Sequence, residues 1–443
     1  MQSLKGSKKE LEKVSHKRKK RTIRRSNAKL YPIYKMFSLD LLCFYSIQFL
    51  FYTITKGIDA SQVLIASAFY LVSKIIMQIP SVVIADLYGH RKSLILGNFL
   101  TFLGMIFMIF VSGFESILVA NIILAFGYDI KIMSETNLLY DSVSTRGGEG
   151  LYSKIDSKGS SWYYLLDGIL CLIAGYLFVI NNYIPVYICA IFTLISTILS
   201  FKFQDVHKKK DVGSKDINQI LKEYRTDLKV SIKFIMKSRR MKSYLLFGAA
   251  FYGIIKLVAT YKSELLISQG VSEQEFSTIF AIITLISGIS TSYSRKFHKK
   301  FKNKTLSVLS LTFVAACLIA SISARTFSNN VAIPITIACC TIFKIGEALW
   351  FVLEYKYLKN FTTENVRNKI TFTYETVICI GASIMSLLGS LLLKIVNIND
   401  AFLLVSLVFL ILIVVLLDYM RTRMGLRPNE YKKEDIDIDF DLD

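Results

Sequence analysis

Charged residues are scarce in this chain, and their scarcity excludes an ordinary soluble enzyme. Only 20% of the 443 residues are charged and 53% are hydrophobic; the mean hydropathy is +0.46. A soluble chain of this length would divide into domains and would need polar surface to cover them. The apolar residues instead form blocks of about 20, which is the length a helix needs to cross the bilayer. A transmembrane barrel is excluded too, because its strands would be alternating segments of about ten residues.

Motifs for nucleotides, catalysis and metals are also missing. No G-x-x-x-x-G-K-[ST] loop appears, which argues against an ATP-driven pump. No H-E-x-x-H or G-x-S-x-G motif appears either, so we expect no enzyme. None of the seven cysteines has C-x-x-C spacing or a nearby histidine. We therefore expect neither a metal nor another cofactor.

Positive charge, in contrast, is abundant. Lys and Arg number 54 against 33 Asp and Glu, a net charge of +21. The excess lies beside the apolar blocks, as it does in the cytoplasmic loops of membrane proteins. This pattern predicts no nucleic-acid partner and favours a bilayer with an anionic inner leaflet.

The apolar blocks predict an all-α membrane protein with twelve transmembrane helices. A helical period and a length near 20 residues define each block. The approximate limits of the blocks are 33–55, 60–85, 94–112, 115–140, 161–180, 183–201, 243–267, 274–294, 305–324, 330–353, 369–393 and 399–420. The positive-inside rule and the even number of spans place both termini in the cytoplasm of a multi-pass cell-membrane protein.

The same pattern divides the chain into five regions. These are a basic cytoplasmic arm (1–30), an N-terminal six-helix half (31–201), a basic cytoplasmic linker (202–242), a C-terminal six-helix half (243–420) and an acidic cytoplasmic tail (421–443). Within the linker, apolar residues at helical spacing over 217–237 predict an amphipathic helix that lies on the inner leaflet. A plain linker is the alternative.

Charged and uncharged spans each recur at every third position along the chain. A charge at mid-bilayer costs about 3 kcal/mol or more, so each requires an interior position or a water-filled cavity. The third, sixth, ninth and twelfth spans have no Asp, Glu, Lys or Arg in their cores, whereas the first, fourth, seventh and tenth all carry charged residues. This indicates four bundles of three helices or two six-helix halves around a polar cavity. Weak similarities between the halves, such as Ser134-Glu135 and Gly346-Glu347, fit two parallel, pseudo-symmetric repeats.

The segment 78–94, QIPSVVIADLYGHRKSL, resembles the signature between the second and third helices of the major facilitator superfamily. The matching positions are Ala85, Asp86, Gly89, Arg91 and Lys92. The resemblance implies the twelve-helix fold of that family. It also implies that Asp86, Gly89, Arg91 and Lys92 form a conformational latch on the cytoplasmic side. The alternative is that Arg91 and Lys92 only orient the chain in the membrane.

A second segment, 134–142 (SETNLLYDS), is similar to a run found in many bacterial exporters of that superfamily. Two departures weaken the likeness to drug/proton antiporters. Ile123 stands nearest the position of their fourth-helix arginine, and the fifth span lacks their Gly-Pro motif. The fold is therefore better supported than proton exchange.

A proton-coupled transporter needs a carboxylate in a cavity, because burial and nearby cations can move its pKa in opposite directions. The candidates for proton coupling are Glu135, Glu347, Asp40 and Asp129. The candidates for the substrate cavity are Lys131, Lys256, Lys344, Glu375, Asp167, Tyr128, Tyr252 and Tyr45. We expect Glu135 to pair with Lys131 one turn away, and Glu347 with Lys344. The alternative for each residue is a static ion pair that holds the bundle.

These patterns predict a monomeric secondary transporter that exports a small amphipathic organic molecule, driven by inward proton flow. An importer or uniporter of a zwitterionic or peptide-like solute on the same fold is the first alternative. A non-transporting receptor or scaffold, acting through its tails and basic linker, is the second.

Overall fold

The computed structural model describes residues 2–143, 148–206, 217–360 and 367–424, and these form a bundle of helices. The helices of the N-terminal half are α1 (Gln2–Ser38), α2 (Phe44–Leu50), α3 (Ala60–Tyr88), α4 (His90–Phe110), α5 (Phe114–Val143), α6 (Gly148–Ile180) and α7 (Ile184–Ser200). The linker contains α8 (Ile217–Lys237). The remaining helices are α9 (Arg239–Ser268), α10 (Glu273–Ser292), α11 (Ser294–Phe301), α12 (Thr305–Thr326), α13 (Asn329–Asn360), α14 (Arg367–Ile395) and α15 (Ile398–Met424).

Ten helices of the described chain are long and apolar enough to cross a membrane, and α7 is a shorter apolar helix. They account for eleven of the twelve predicted spans, close to the predicted limits. The predicted first span is the exception, because it is divided among the end of α1, α2 and a short π-helix, Phe51–Thr55. The predicted boundary at residue 30 also falls inside α1, so the arm and the start of the first span are one helix. Residues 425–443 of the predicted tail lie outside the described residues.

Local sequence explains where several helices begin. Asp59 and Gln62 form a capping box at the start of α3, and Ser272 and Glu275 form another at the start of α10. Each pair satisfies backbone N–H groups that the first turn leaves free. Gly89 separates α3 from α4 with a φ of 82°, a conformation that glycine adopts readily.

The two halves repeat one packing scheme. In the N-terminal half, α5 packs on α3 and α4, α7 packs on α4, and α1 packs on α6. In the C-terminal half, α13 packs on α10 and α12, α15 packs on α12, and α9 packs on α14. The halves meet where α3 contacts α14 and α6 contacts α10. The prediction of two pseudo-symmetric six-helix halves is therefore confirmed.

The bundle has two distinguishable ends. At the α8 end, where α8 leads into α9, helix α8 contacts α3 of one half and α9 and α14 of the other. Its buried Phe234 and Ile235 join the main hydrophobic core, while Ile232 and Met236 stay exposed. The predicted helix thus forms, but one face packs against protein. At the opposite end, the Ser61 and Ser390 hydroxyl oxygens lie 2.8 Å apart and join the halves.

Close approach of helices positions the interior side chains. A Cβ added at Gly97 of α4 would lie 2.6 Å from the backbone nitrogen of Lys131 in α5. Glycine at this position therefore lets the two backbones touch, as small residues do in membrane bundles. In the C-terminal half, Trp350 is fully buried and packs edge-on against Phe247 and Phe251 of α9.

Candidate functional site

The first span is interrupted in the middle of the bundle. Helix α1 ends at Ser38 and α2 begins at Phe44, and Cys43 between them has a φ of 53°. This left-handed conformation is uncommon for a residue other than glycine. Asp40 lies in the break, where one of its carboxylate oxygens accepts the N–H of Leu41 at 2.9 Å. The break leaves the last carbonyl groups of α1 and the first N–H groups of α2 without helical partners.

Lys131 of α5 closes one side of the break. Its ammonium group donates to the carbonyl oxygen of Ser38 at 2.6 Å, and the side chain is buried. A cation at a helix C-terminus also interacts favourably with the negative end of the helix dipole. The expected ion pair between Lys131 and Glu135 is therefore not formed, because the ammonium group is directed at α1.

Asp167 of α6 closes the other side. Its carboxylate accepts the backbone N–H of Cys43, the residue that precedes α2, at 2.8 Å. This is the role of an N-cap, supplied here from a different helix. Two predicted cavity residues thus hold the ends of the interrupted helix.

Glu135 pairs with Lys35 of α1, at 2.7 Å from the Lys35 ammonium nitrogen. Both side chains are almost fully buried, with exposures of 4% and 9%. Asp156 of α6 lies 3.2 Å from the same nitrogen and also accepts the Tyr31 hydroxyl at 3.0 Å. The second carboxylate oxygen of Glu135 is buried and has no hydrogen-bond partner among the described residues. Lys35 therefore forms ion pairs with two carboxylates, and these contacts join α1, α5 and α6.

Asp129 belongs to a looser group at the centre. Its carboxylate lies 4.0 Å from the Lys74 ammonium nitrogen, which sits 4.9 Å from the centre of the Tyr128 ring. Lys131 approaches the same ring at 4.6 Å. Glu375 of α14 is half-buried and close enough for its charge to act on Lys74 and Asp129. These residues connect α3, α5 and α14.

In the C-terminal half, the expected pair of Lys344 and Glu347 is confirmed. The two groups are 2.8 Å apart on successive turns of α13, with side-chain exposures of 30% and 20%. Lys256 lies over the Tyr252 ring at 5.3 Å. The charges of Lys256 and Lys262, both on α9, also act on Glu347.

The candidates from both halves face a common interior space. The charge of Lys344 on α13 acts on Asp167 of α6, and the charge of Lys74 on α3 acts on Tyr252 of α9. Tyr45 of α2 keeps half of its surface exposed, and its ring packs edge-on against Phe44. A separate cavity of about 540 Å³ lies at the opposite end, between Leu50, Ile54 and Val179 of one half and Ile267 and Val271 of the other. None of the predicted residues lines that cavity.

The predicted latch residues lie between α3 and α4. The Arg91 backbone N–H donates to the Asp205 carboxylate at 3.1 Å, and its guanidinium donates to the Phe201 carbonyl at 3.2 Å. Lys92 is exposed. These contacts join α4 to the end of α7 and the start of the linker, and they do not reach the C-terminal half. The Asp86 side chain lies outside the described residues.

Sequence reasoning missed several charged residues of the interior. Lys35 and Lys262 lie within the predicted first and seventh spans, and Glu354 lies one residue beyond the tenth. All three are buried. Counting every charge inside the spans would have found the two lysines, whereas Asp156 precedes its predicted span by five residues and gave no such signal.

Comparison with known proteins agrees with this architecture. A family model for the Major Facilitator Superfamily matches residues 36–353 and 269–437. YxaM of Bacillus subtilis (strain 168), an uncharacterized MFS-type transporter, is 24% identical over 371 residues, which cover 82% of this chain and 88% of YxaM.

Solved structures show the same fold at low sequence identity. The nucleoside transporter NupG superposes with a TM-score of 0.68 at 10% identity and covers 90% of this chain and 99% of its own. A D-xylose-proton symporter gives 0.63 at 12% identity, with 94% and 98% covered. The chain is thus a multi-span membrane transporter rather than an enzyme, and it belongs to the major facilitator superfamily.

Proposed function

We propose that the chain exports a small amphipathic organic molecule in exchange for protons, by alternating access between its two halves. The observation that carries the proton-coupling part is the arrangement of Lys35 between Glu135 and Asp156. The three groups together have one negative charge in excess when all are ionised. One bound proton makes them neutral and still leaves Lys35 with a carboxylate partner.

This arrangement lets a proton change helix packing. Lys35, Glu135 and Asp156 lie on α1, α5 and α6, so protonation of Glu135 weakens the link between α1 and α5 while the link to α6 persists. Removing charge from a buried pair changes its balance of desolvation and attraction by several kcal/mol. Glu135 thus remains our first candidate for coupling, and Asp156 joins it. Glu347, Asp40 and Asp129 are secondary candidates.

Further features support this reading. The exporter-like run 134–142 includes Glu135, and the interior carries charges from both halves. The basic linker and α11 favour an orientation with the α8 end and both termini in the cytoplasm of the cell membrane. In this proposal the Gly89 turn with Asp86, Arg91 and Lys92 forms the latch of that end, the exposed face of α8 rests on the anionic leaflet, and the protein acts as a monomer.

Proton movement in inside-out vesicles tests the proposal. The lumen is acidified, compounds of a varied panel are added, and a pH dye reports loss of the gradient. We expect a compound-triggered loss with the wild type and none with Glu135→Gln. Glu115→Gln, an exposed carboxylate on the same helix, is the matched control and should behave as the wild type. Unchanged flux in Glu135→Gln would refute the coupling role.

A second candidate is import or uniport of a zwitterionic or peptide-like solute. Lys344 of α13, whose charge acts on Asp167 of the other half, and the two lysines of α9 near Glu347 favour it. Uptake assays in intact cells separate the two, because an exporter lowers accumulation and an importer raises it. A receptor or scaffold would show neither, and it would lose its function when residues 1–28 and 429–443 are deleted.

A further inference from the structure

Three lysines share one carboxylate in the C-terminal half. We call Lys256, Lys262, Lys344 and Glu347 the lysine cluster. Within it, only Lys344 forms an ion pair, at 2.8 Å from Glu347. The charges of the other two lysines act on the same carboxylate. With every group ionised, the cluster has two positive charges in excess.

Lys262 is the most unusual member. Its side chain is 4% exposed, which is rare for a lysine without a partner. Its ammonium group has no hydrogen bond or ion pair in the described part of the chain, and it lies over the Phe280 ring at 5.0 Å from the ring centre. An unpaired buried charge is costly, so an anion bound beside Lys262 would stabilise its charged form.

Lys256 also lacks an ion-pair partner, but it is more exposed than Lys262. It is half-buried, and among the described residues it contacts the Tyr252 ring but no carboxylate within ion-pair distance. Lys344 lies on the side of the cluster that faces Asp167 in the other half. The unpaired charge of Lys256 therefore lies beside the aromatic side chains of Tyr252 and Phe351, and the charge of Lys74 from the other half acts on the same Tyr252.

We propose that the lysine cluster is a binding site for an organic anion, with Lys256 and Lys262 holding a carboxylate or phosphate group of the transported molecule. The aromatic rings beside Lys256 would contact its apolar part. Glu347 keeps Lys344 paired, so the incoming anion takes the two lysines that lack a partner. This inference rests on the proposed transport function and adds the chemical class of the substrate.

Binding to the purified full-length protein in detergent tests the site. The probes are 3-phenylpropionate, its neutral amide 3-phenylpropionamide, the cation 3-phenylpropylamine, and inorganic phosphate. Affinity is read from the ligand-induced rise in unfolding temperature. We expect the carboxylate or phosphate to bind at least about tenfold more tightly than the amide, as charge-assisted hydrogen bonds require. The amine should not bind better than the amide. A preference for 3-phenylpropionate over its amide assigns a carboxylate, whereas binding of phosphate without that preference assigns a phosphate.

Substitutions locate the site. Lys256→Gln and Lys262→Gln should each reduce the preference for the anion about tenfold and leave amide binding unchanged. Lys256→Arg should retain it. Lys394→Gln, which removes an exposed lysine of α14, is the matched control and should bind as the wild type. Because Lys262 has no partner to lose, its replacement should not lower the unfolding temperature of the unliganded protein.

Two results would overturn the inference: no preference for either anion over the amide, or a preference that survives both glutamine variants. No proton gradient is present in this experiment. Anion binding without proton exchange in vesicles would retain the site and refute the proposed export. Proton exchange without anion binding would support the proposed export and refute the anion site.

Discussion

The first helix of each half occupies the same place in its bundle, yet the two are built differently. Helix α9 runs without interruption from Arg239 to Ser268, whereas its counterpart breaks between α1 and α2. Charged side chains from α5 and α6 hold both ends of the break. Around α9 the corresponding neighbours supply aromatic packing, such as Trp350 against Phe247. The same packing scheme thus rests on ionic contacts in one half and on apolar contacts in the other.

The paired glutamates differ in the same way. Glu135 finds its cation on another helix, and both groups are almost fully buried. Glu347 finds its cation on its own helix, and both groups are partly exposed. An ion pair between helices constrains their relative position, whereas a pair within one turn does not. We therefore expect the packing of the N-terminal half to depend more on charge, whereas the C-terminal half holds two lysines, Lys256 and Lys262, without an ion-pair partner among the described residues.

The largest expected effect comes from breaking the interhelical pair. Lys35→Met leaves the buried Glu135 and the partly exposed Asp156 without their cation and should lower the free energy of unfolding by about 3–5 kcal/mol. Lys344→Met removes a partly exposed pair within one helix and should cost less than about 1 kcal/mol. Equilibrium unfolding in mixed micelles with increasing sodium dodecyl sulfate measures both. Equal losses would contradict the difference between the halves.

A double variant serves as the control for this prediction. Lys35→Met with Glu135→Gln removes the more buried of the two stranded charges, so it should recover part of the loss. Asp156 retains 30% exposure and can be hydrated. A double variant no more stable than Lys35→Met alone would show that packing of the lysine side chain, rather than its charge, stabilises α1.

The next effect concerns the break itself. Lys131→Met removes the ammonium group from the Ser38 carbonyl, a charge-assisted hydrogen bond worth about 2 kcal/mol, which corresponds to roughly thirtyfold in local opening. Cys43 reports that opening, because it lies in the break and is buried. Maleimide labelling followed by mass spectrometry should show faster modification of Cys43. Cys317, buried in α12 of the other half, is the internal control and should not change.

A smaller effect is expected at the start of α2. Asp167→Ala removes the cap from the Cys43 N–H and should cost about 1 kcal/mol, or roughly fivefold in Cys43 labelling. Asp167→Asn keeps an acceptor and should cost only a few tenths of a kcal/mol. If the asparagine and alanine variants label alike, the charge of Asp167 matters more than its hydrogen bond.

Sequence reasoning found the spans because the length of an apolar block is a local property. Predicted and observed limits agree within a few residues for helices such as α3 and α12. The cause of the break in the first span, in contrast, does not lie in the neighbouring sequence. Residues 38–44 contain neither proline nor glycine, and the groups that stabilise the break, Lys131 and Asp167, come from distant helices.

The partners of the charged residues could likewise be predicted only where the pairing is local in the sequence. Lys344 and Glu347 are one turn apart, so spacing predicted their pair correctly. Spacing also predicted a pair of Lys131 and Glu135, which are one turn apart. In the structure Glu135 pairs instead with Lys35, which lies 100 residues away in the sequence. Helical spacing shows which pairs are within reach. It does not show which pair forms when a broken helix offers a free carbonyl to one of the candidates.

The smallest effect concerns the contacts between the halves. Ser61→Ala removes the hydrogen bond to Ser390 at the opposite end, worth about 1 kcal/mol, and should favour conformations open at that end by roughly fivefold. The Thr376 hydroxyl donates to the Gln78 side-chain oxygen at 2.9 Å, nearer the α8 end. Gln78→Met removes this hydrogen bond and should favour conformations that are open at the α8 end. Spin labels at Asn181→Cys and Asn397→Cys, in loops of different halves, report the separation. Shifts in the same direction would mean that the two bonds stabilise one closed state, and that neither selects between the conformations of a transport cycle.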